Sequence, residues 1–352
     1  MLTREKLSKL NIEPPSAAIY QASRDKWDGI SKPIDGLGDF EKVVARIAAI
    51  QGTVAPSLDK RAAVIMCSDN GVVEEGISQT GKEITKAVAA ALGSGISTAC
   101  TLGRSAKVDI IPVDMGIDCD ETIDGVIDLK VRKGTRNFVK EPAMTEDETL
   151  LAIERGIELT KDLAAKGYKV IATGEMGIGN TTTSAGVLSA LLHEDSEEIV
   201  GRGSGLDDAG LSRKREVVKA AVNKYGAGDA LEILACLGGY DIAGLCGLCI
   251  GAALSHLPVV VDGVISTTAA LVAERLVPGV KEYVIPSHAG REKGNLMALG
   301  KLGLAPLIEG NMALGEGTGA IMLFPLLDVV MDYYLGGAEF SDYSIDEYKR
   351  IN

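Results

Sequence analysis

The chain is short of histidine, aromatic rings and positive charge, and each shortage removes a class of function. Three histidines in 352 residues, His193, His256 and His288, leave no basis for a histidine-built metal centre. Aromatics make up 4% of the residues against 42 glycines, which favours close backbone packing and ligand-facing turns over a core of large rings. With 49 acidic and 36 basic residues the net charge is −13, which opposes unspecific binding to nucleic acid or an anionic membrane. Any bound anion therefore needs a local site. The six cysteines lack the paired spacing of a disulfide framework. Cys246 and Cys249 are formally C-x-x-C, but they sit in an apolar, Gly/Ala-rich helical stretch without a second pair and read as buried reduced thiols. Met1 to Leu10 is charged and unlike a signal peptide, and no apolar run is long and Gly-poor enough to span a bilayer. The expectation is a soluble, cytoplasmic protein with neither a nucleic-acid nor a membrane partner.

What is present is an alternation. Short β-branched or apolar runs at Ala62–Ser68, Val108–Val113, Lys169–Thr173, Val259–Val261 and Tyr283–Pro286 are separated by helical patterns such as Lys82–Arg104, Glu146–Lys166 and Asp207–Lys224. That order predicts an α/β fold with a Rossmann-like parallel sheet flanked by helices, and with ligands beyond the carboxyl ends of the strands. Leu2–Leu10, Asp39–Gln51 and Leu323–Tyr334 read as helices outside the alternation, and Asp342–Asn352 as a polar surface tail.

Three glycine-rich segments carry the chemistry. Gly174-Glu175-Met176-Gly177-Ile178-Gly179-Asn180-Thr181 joins a strand to a helical pattern. Such a turn brings backbone amides close to a phosphate at the positive end of a helix. It is neither a Walker loop, since Asn180-Thr181 stands where Lys-Ser or Lys-Thr is required, nor G-x-G-x-x-G. Gly201-Arg202-Gly203-Ser204-Gly205 is a second such loop, followed by a helix start at Asp207-Asp208 and by Arg213, Lys214 and Arg215. Two loops with basic residues a turn beyond suggest a nucleotide phosphate held from two sides. In the third, Leu314-Gly315-Glu316-Gly317-Thr318-Gly319-Ala320, a glutamate stands among glycines before a buried helix, where desolvation raises a carboxyl toward the range of a general base. A loop glutamate placed for the helix dipole fits that position equally well.

These three segments, in this order, resemble the nicotinate-nucleotide:dimethylbenzimidazole phosphoribosyltransferase family. Lys32-Pro33-Ile34-Asp35-Gly36-Leu37-Gly38 is similar to the family's K-P-x-G-S-L-G, and Ser68-Asp69-Asn70-Gly71-Val72 to its A-D-H-G-V. The likeness runs from about Trp27 to Leu335. It implies a small helical domain formed by residues 1–60 and 323–352 beside a large α/β domain of residues 61–322, and a homodimer with sites near the interface. It also implies a reaction in which nicotinate mononucleotide gives its phosphoribosyl group to 5,6-dimethylbenzimidazole or a related base. Glu316 matches the family's catalytic glutamate and Glu175 its second carboxylate. Backbone amides of Gly177, Gly179 and Asn180, with Thr181 alongside and Gly203 and Ser204 opposite, are expected to receive the 5′-phosphate, and Lys214 to neutralise it. Asp262 is expected either as a strand-end ribose ligand or as a cap for a helix starting near Thr267. Met176, Ser78 and Gln79 are candidates for base contacts. No metal or cofactor is implied.

Two departures bear on the acceptor. Ser287-His288-Ala289-Gly290-Arg291-Glu292 stands where many relatives carry S-H-x-S-A-E, which removes a hydroxyl and adds Arg291. Glu83-Ile84-Thr85 is followed by Lys86-Ala87-Val88 where many have a glutamine. The acceptor is thereby left open among benzimidazoles, purines and phenols. The alternative from another class is a non-catalytic nucleotide sensor, against which the intact Glu316 motif argues. A dinucleotide dehydrogenase fails because Asp69-Asn70-Gly71-Val72, and no G-x-G-x-x-G, follows the first strand.

Overall fold

The computed structural model describes residues 1–203 and 205–350; Ser204, named above with Gly203, lies outside the described residues. Six strands form one sheet: β1 Arg61–Ser68, β2 Val108–Gly116, β3 Ile127–Asp128, β4 Val170–Met176, β5 Val259–Val261 and β6 Val284–Pro286. All pairings are parallel, in the order β3-β2-β1-β4-β5-β6. This is the order of doubly wound α/β sheets, in which the chain reverses direction between the first and fourth strands and opens a crevice there. In that crevice Met66 of β1 pairs with Glu175 of β4.

The five strands expected from apolar runs are all present. β1 is buried along its whole length, as a strand covered by helices on both faces must be. Its side chains alternate between two cores. Val64 and Met66 join the helices Glu146–Ala165, Tyr240–Leu254 and Val264–Leu276, whereas Ala63, Ile65 and Cys67 join the helices Asp39–Gln51, Thr98–Ala106 and Thr318–Gly336. Parts of the terminal segments from Trp27 and from Thr318 onward meet on this second face, whereas Leu7 and Ile12 near the start of the chain join the first core, against the expectation that residues 1–60 go together. Trp27 packs on Tyr334 with ring centroids 4.8 Å apart and the rings tilted by 45°, the Tyr334 hydroxyl lies 2.8 Å from Ser23 Oγ, and Arg61 forms a two-pronged ion pair with Asp328. Cys246 and Cys249 are fully buried and reduced on the helix Tyr240–Leu254.

Three features differ from expectation. The pattern over Lys82–Arg104 is two helices, Glu83–Gly93 and Thr98–Ala106, broken at Gly95 (φ 78°) and restarted by the Ser97 side chain, which accepts the Cys100 amide. A small second sheet, β7 His288–Gly290 with β8 Ile308–Met312, was not expected, because Glu309, Gly310 and Asn311 of β8 are exposed and carry no apolar pattern. And one described helix, Thr318–Gly336, is long and apolar enough to cross a membrane by length and composition, although half of its apolar window is buried against the sheet.

Candidate active site

The mouth of the crevice is a cavity of about 380 Å³ at the carboxyl ends of the strands. Its size is that of a small-molecule pocket. Glu175, Met176, Gly177, Asn180, Thr181, Gly203, Asp262 and Glu316 all line it. A smaller cavity of about 40 Å³ adjoins it and is lined by Ser78, Gln79, Gly179 and Lys214. Ser78 and Gln79 therefore belong to the lysine end of the site, away from Ile84, Val88, Met312 and Leu314, which provide the apolar lining of the main cavity.

The first and third glycine segments are locked to one another. The Glu316 amide donates to the Glu175 carbonyl at 3.3 Å, and a Cβ on Gly174 would come within 2.8 Å of Gly317 N and 2.3 Å of Ile65 Cδ1. Only glycine lets these two backbones touch. The contact sets both carboxyl groups on one wall. The Glu316 side chain is half-buried and is held from beyond its own loop, because its Oε2 accepts the Ala99 amide at 3.0 Å. That amide opens the helix Thr98–Ala106, so the break in the expected long helix presents a positive helix end to Glu316. Glu175 is more deeply placed, with 8% of its surface exposed. Burial pushes its carboxyl up to about 8, against a hydrogen bond from Asn180 Nδ2, with Asp241, Asp262 and Glu316 adding like-charge repulsion.

Two of the expected roles change. The Asn180 backbone amide is engaged in closing the turn onto the Gly177 carbonyl at 3.1 Å, and its side chain works on Glu175 and on Asp241. Asp262 caps a helix, but not the one near Thr267, which starts at Val264 after an N-cap at Gly263. Its Oδ1 accepts the amides of Gly319 and Ala320 at 2.8 and 3.1 Å, anchoring the helix Thr318–Gly336 that carries the Glu316 loop. A side-chain cap on a helix remote in sequence has no local signature. Buried His288 completes this corner, with Nδ1 2.9 Å from Ser287 Oγ and 3.8 Å from Asp262 Oδ1.

At the other end, Lys214 is 1% exposed and its Nζ donates to Thr181 Oγ1 at 2.8 Å. Burial lowers it to about 8, and Glu292 acts in the opposite direction. The Glu292 Oε1 accepts the Gly203 amide at 2.9 Å, which ties the second glycine loop to the segment after β7. Sequence reading overlooked this carboxylate at the anion end, and the engagement of Asp241 with Asn180. Neither lies in a glycine motif.

Comparison with known proteins accords with this arrangement. A family model described as phosphoribosyltransferase matches residues 12–345. The nicotinate-nucleotide–dimethylbenzimidazole phosphoribosyltransferase of Acetivibrio thermocellus is 44% identical over 326 residues, covering 92% of this chain and 93% of its own. The protein of the same name from Geobacter metallireducens is 38% identical, with 96% of each chain covered. The crystal structure of CobT from Thermus thermophilus superposes with a TM-score of 0.89 at 35% identity, covering 94% of this chain and 99% of that one.

Proposed function

The chain belongs to the nicotinate-nucleotide:dimethylbenzimidazole phosphoribosyltransferase family, and we propose that it transfers phosphoribosyl from nicotinate mononucleotide to 5,6-dimethylbenzimidazole or a related base, giving α-ribazole phosphate and nicotinate for cobamide nucleotide-loop assembly. The observation that carries this reading is the polarity of the cavity: two carboxyl side chains, Glu316 and Glu175, on one wall, and a buried ammonium, Lys214, at the adjoining end. A nucleotide with its phosphate at Lys214, Thr181 and Gly203 extends its ribose toward the end of β4. The apolar side chains of Ile84, Val88, Met312 and Leu314 suit a flat heteroaromatic base, with Met176 beside them.

The chemistry follows from the charges of the reactants. The nicotinate nitrogen is quaternary in the donor, so breaking the glycosidic bond neutralises it and needs no acid. Positive charge builds instead on the ribose, as in glycosyl transfer generally. The attacking benzimidazole nitrogen becomes cationic unless the N–H proton on its other nitrogen is removed. Glu316, fixed by the Ala99 amide and by its loop contact with β4, is the base in this reading, and Glu175 contacts the ribose.

We also read the protein as a cytoplasmic homodimer in which residues 1–60, apart from the start of the chain, and 323–352 form a small helical unit beside the sheet unit of residues 61–322. Supporting the dimer, the helix Thr318–Gly336 turns an exposed stripe of Met322, Leu326, Val329 and Tyr333 to the outside, at the i, i+4, i+7 spacing of a helix face, 46, 45, 70 and 36% exposed. The same helix starts directly after the Glu316 loop and is held there by Asp262, which puts the active site at the N-terminal end of that face.

Incubation with nicotinate mononucleotide and a panel of benzimidazoles, purines and phenols, following nicotinate release and ribosylated product by mass detection, tests the reaction. Product from the wild type and its loss in Glu316→Gln are the expected results. Binding of the mononucleotide without release of nicotinate to any acceptor would leave a sensor and reject the enzyme.

A further inference from the structure

Beneath the wall that carries Glu175 lies a second buried acid that the proposed reaction does not use. Asp241 is in the first turn of the helix Tyr240–Leu254, which packs behind β1, β2 and β4, and it has no exposed surface. Its Oδ1 accepts the Ile242 amide at 2.9 Å and its Oδ2 accepts Asn180 Nδ2 at 3.2 Å. The same nitrogen donates to Glu175 Oε2. One carboxamide NH₂ thus spans two buried carboxyl groups. The backbone leaves room for the arrangement: a Cβ on Gly239 would come within 2.5 Å of Asp241 Oδ1, and one on Gly177 within 3.0 Å of Oδ2.

Among the described residues no cation pairs with either carboxyl group. Glu175 faces Asp241, Asp262 and Glu316; Asp241 faces Asp69; and the Cys67 thiol of β1, itself pushed up by burial, lies near both. Lys214 is at the other cavity, tied to Thr181. Two buried like charges sharing one donor are held more cheaply as one carboxylate and one carboxylic acid. Burial raises both carboxyl groups, and Asp241 accepts from two donors, the Ile242 amide and Asn180, where Glu175 accepts from Asn180 alone, so a single proton on the pair resides on Glu175, the member at the cavity.

We infer that Asp241 is a positioning residue that holds the Glu175 carboxyl at the cavity wall through Asn180 and, by the repulsion of its own charge, keeps a proton on it, so that Glu175 meets its ligand as a hydrogen-bond donor. In the proposed reaction that ligand is a ribose oxygen, and Glu175 steadies the sugar instead of countering charge at the anomeric carbon. The identity of the ligand rests on the proposed reaction; the shared proton does not.

Infrared difference spectroscopy on the full chain without substrate, titrated from about pH 5 to 10, tests this directly, with the protonated-carboxyl stretch assigned by its loss in Glu175→Gln. The band is expected at neutral pH, with a midpoint near 8 in the wild type. Asp241→Asn removes the repelling charge and should lower that midpoint by about half a unit or more. Asn180→Ser removes the stabilising hydrogen bond and should raise it. Absence of the band at neutral pH in the wild type overturns the inference whatever the variants do. So does an unmoved midpoint in folded Asp241→Asn, or, if that variant does not fold, in Asn180→Ser. In turnover assays the pH dependence assigned to Glu175 should move down with the band in Asp241→Asn, as a merely structural loss would not. A wild type that shows the band but releases no nicotinate would defeat the proposed reaction and leave this pair standing.

Discussion

At Gly174–Gly179 the chain is held by backbone and buried side chains: the Glu175 carbonyl meets the Glu316 amide, Asn180 closes onto Gly177, and the Asn180 side chain ties Glu175 to Asp241. Around Gly203 the second glycine loop is held by partly exposed side chains, with Glu292 on the Gly203 amide, Gln79 on the Gly205 carbonyl and Arg202 on Asp208. The difference separates two requirements. A proton-transferring group must stand within hydrogen-bond reach of its target, which a backbone lock between two loops provides. A phosphate site must exchange its own internal contacts for ligand contacts, and side-chain latches can let go.

The largest effect should come from the locked end. Glu316→Gln keeps the Ala99 contact but removes the base, so kcat should fall roughly 100- to 10,000-fold with donor affinity within a few-fold of wild type. A parallel loss of binding, measured by calorimetry, would mean that Glu316 holds the nucleotide and that the two ends are not specialised.

Lys214→Met should instead raise the donor KM, by about 10- to 100-fold for a lost charge-assisted contact of roughly 1.5–3 kcal/mol, and leave kcat less changed. The wild type should also lose donor affinity as pH rises through about 8, because burial lowers Lys214 to that value and only the ammonium form attracts the phosphate. The same titration of Lys214→Met should lose that component. An identical pH profile in the variant would assign the effect to Glu175, which also gains a negative charge near 8.

Alanine at two glycines contrasts the two kinds of restraint. In Gly174→Ala the new methyl meets Gly317 N at 2.8 Å, which is backbone and cannot step aside, so thermal unfolding should report a loss of about 1–3 kcal/mol. In Gly201→Ala it meets Glu292 Oε2 at 1.9 Å, the far end of a side chain that can rotate, so stability should change by less than about 0.5 kcal/mol. Equal losses would show that the second loop is as firmly built as the first.

This contrast also explains what could be read from sequence. The Gly174–Ser184 and Leu314–Ala320 segments declare themselves because a backbone-to-backbone contact demands glycine at fixed positions, and five of the strands because a two-sided sheet demands apolar runs. The role of Asp262 on a remote helix, and the parts played by Asp241 and Glu292, could not be read in the same way. Each acts on a residue 57 or more positions away, as with Asp262 on Gly319, Asn180 on Asp241 and Gly203 on Glu292, through a single side chain whose neighbours in sequence give no hint of it. The helix break at Gly95 was missed for a related reason: both halves keep the helical pattern, and the purpose of the break, an amide end aimed at Glu316, exists only after folding.

The smallest and most discriminating effect is at Glu292, where two consequences of one charge oppose each other. Glu292 occupies the Gly203 amide that a phosphate would use, and it also supports the charged form of Lys214. Glu292→Gln weakens the competitor, so below about pH 7 inorganic phosphate or the donor should bind more tightly, by less than about fivefold for a partly exposed contact worth roughly 0.2–1 kcal/mol. Losing the same charge lowers Lys214 further, so the fall in affinity with rising pH should begin earlier than in the wild type. The two binding curves should therefore cross, the variant tighter at low pH and weaker at high pH. Curves that remain parallel would mean that Glu292 acts on the loop alone and does not reach the lysine.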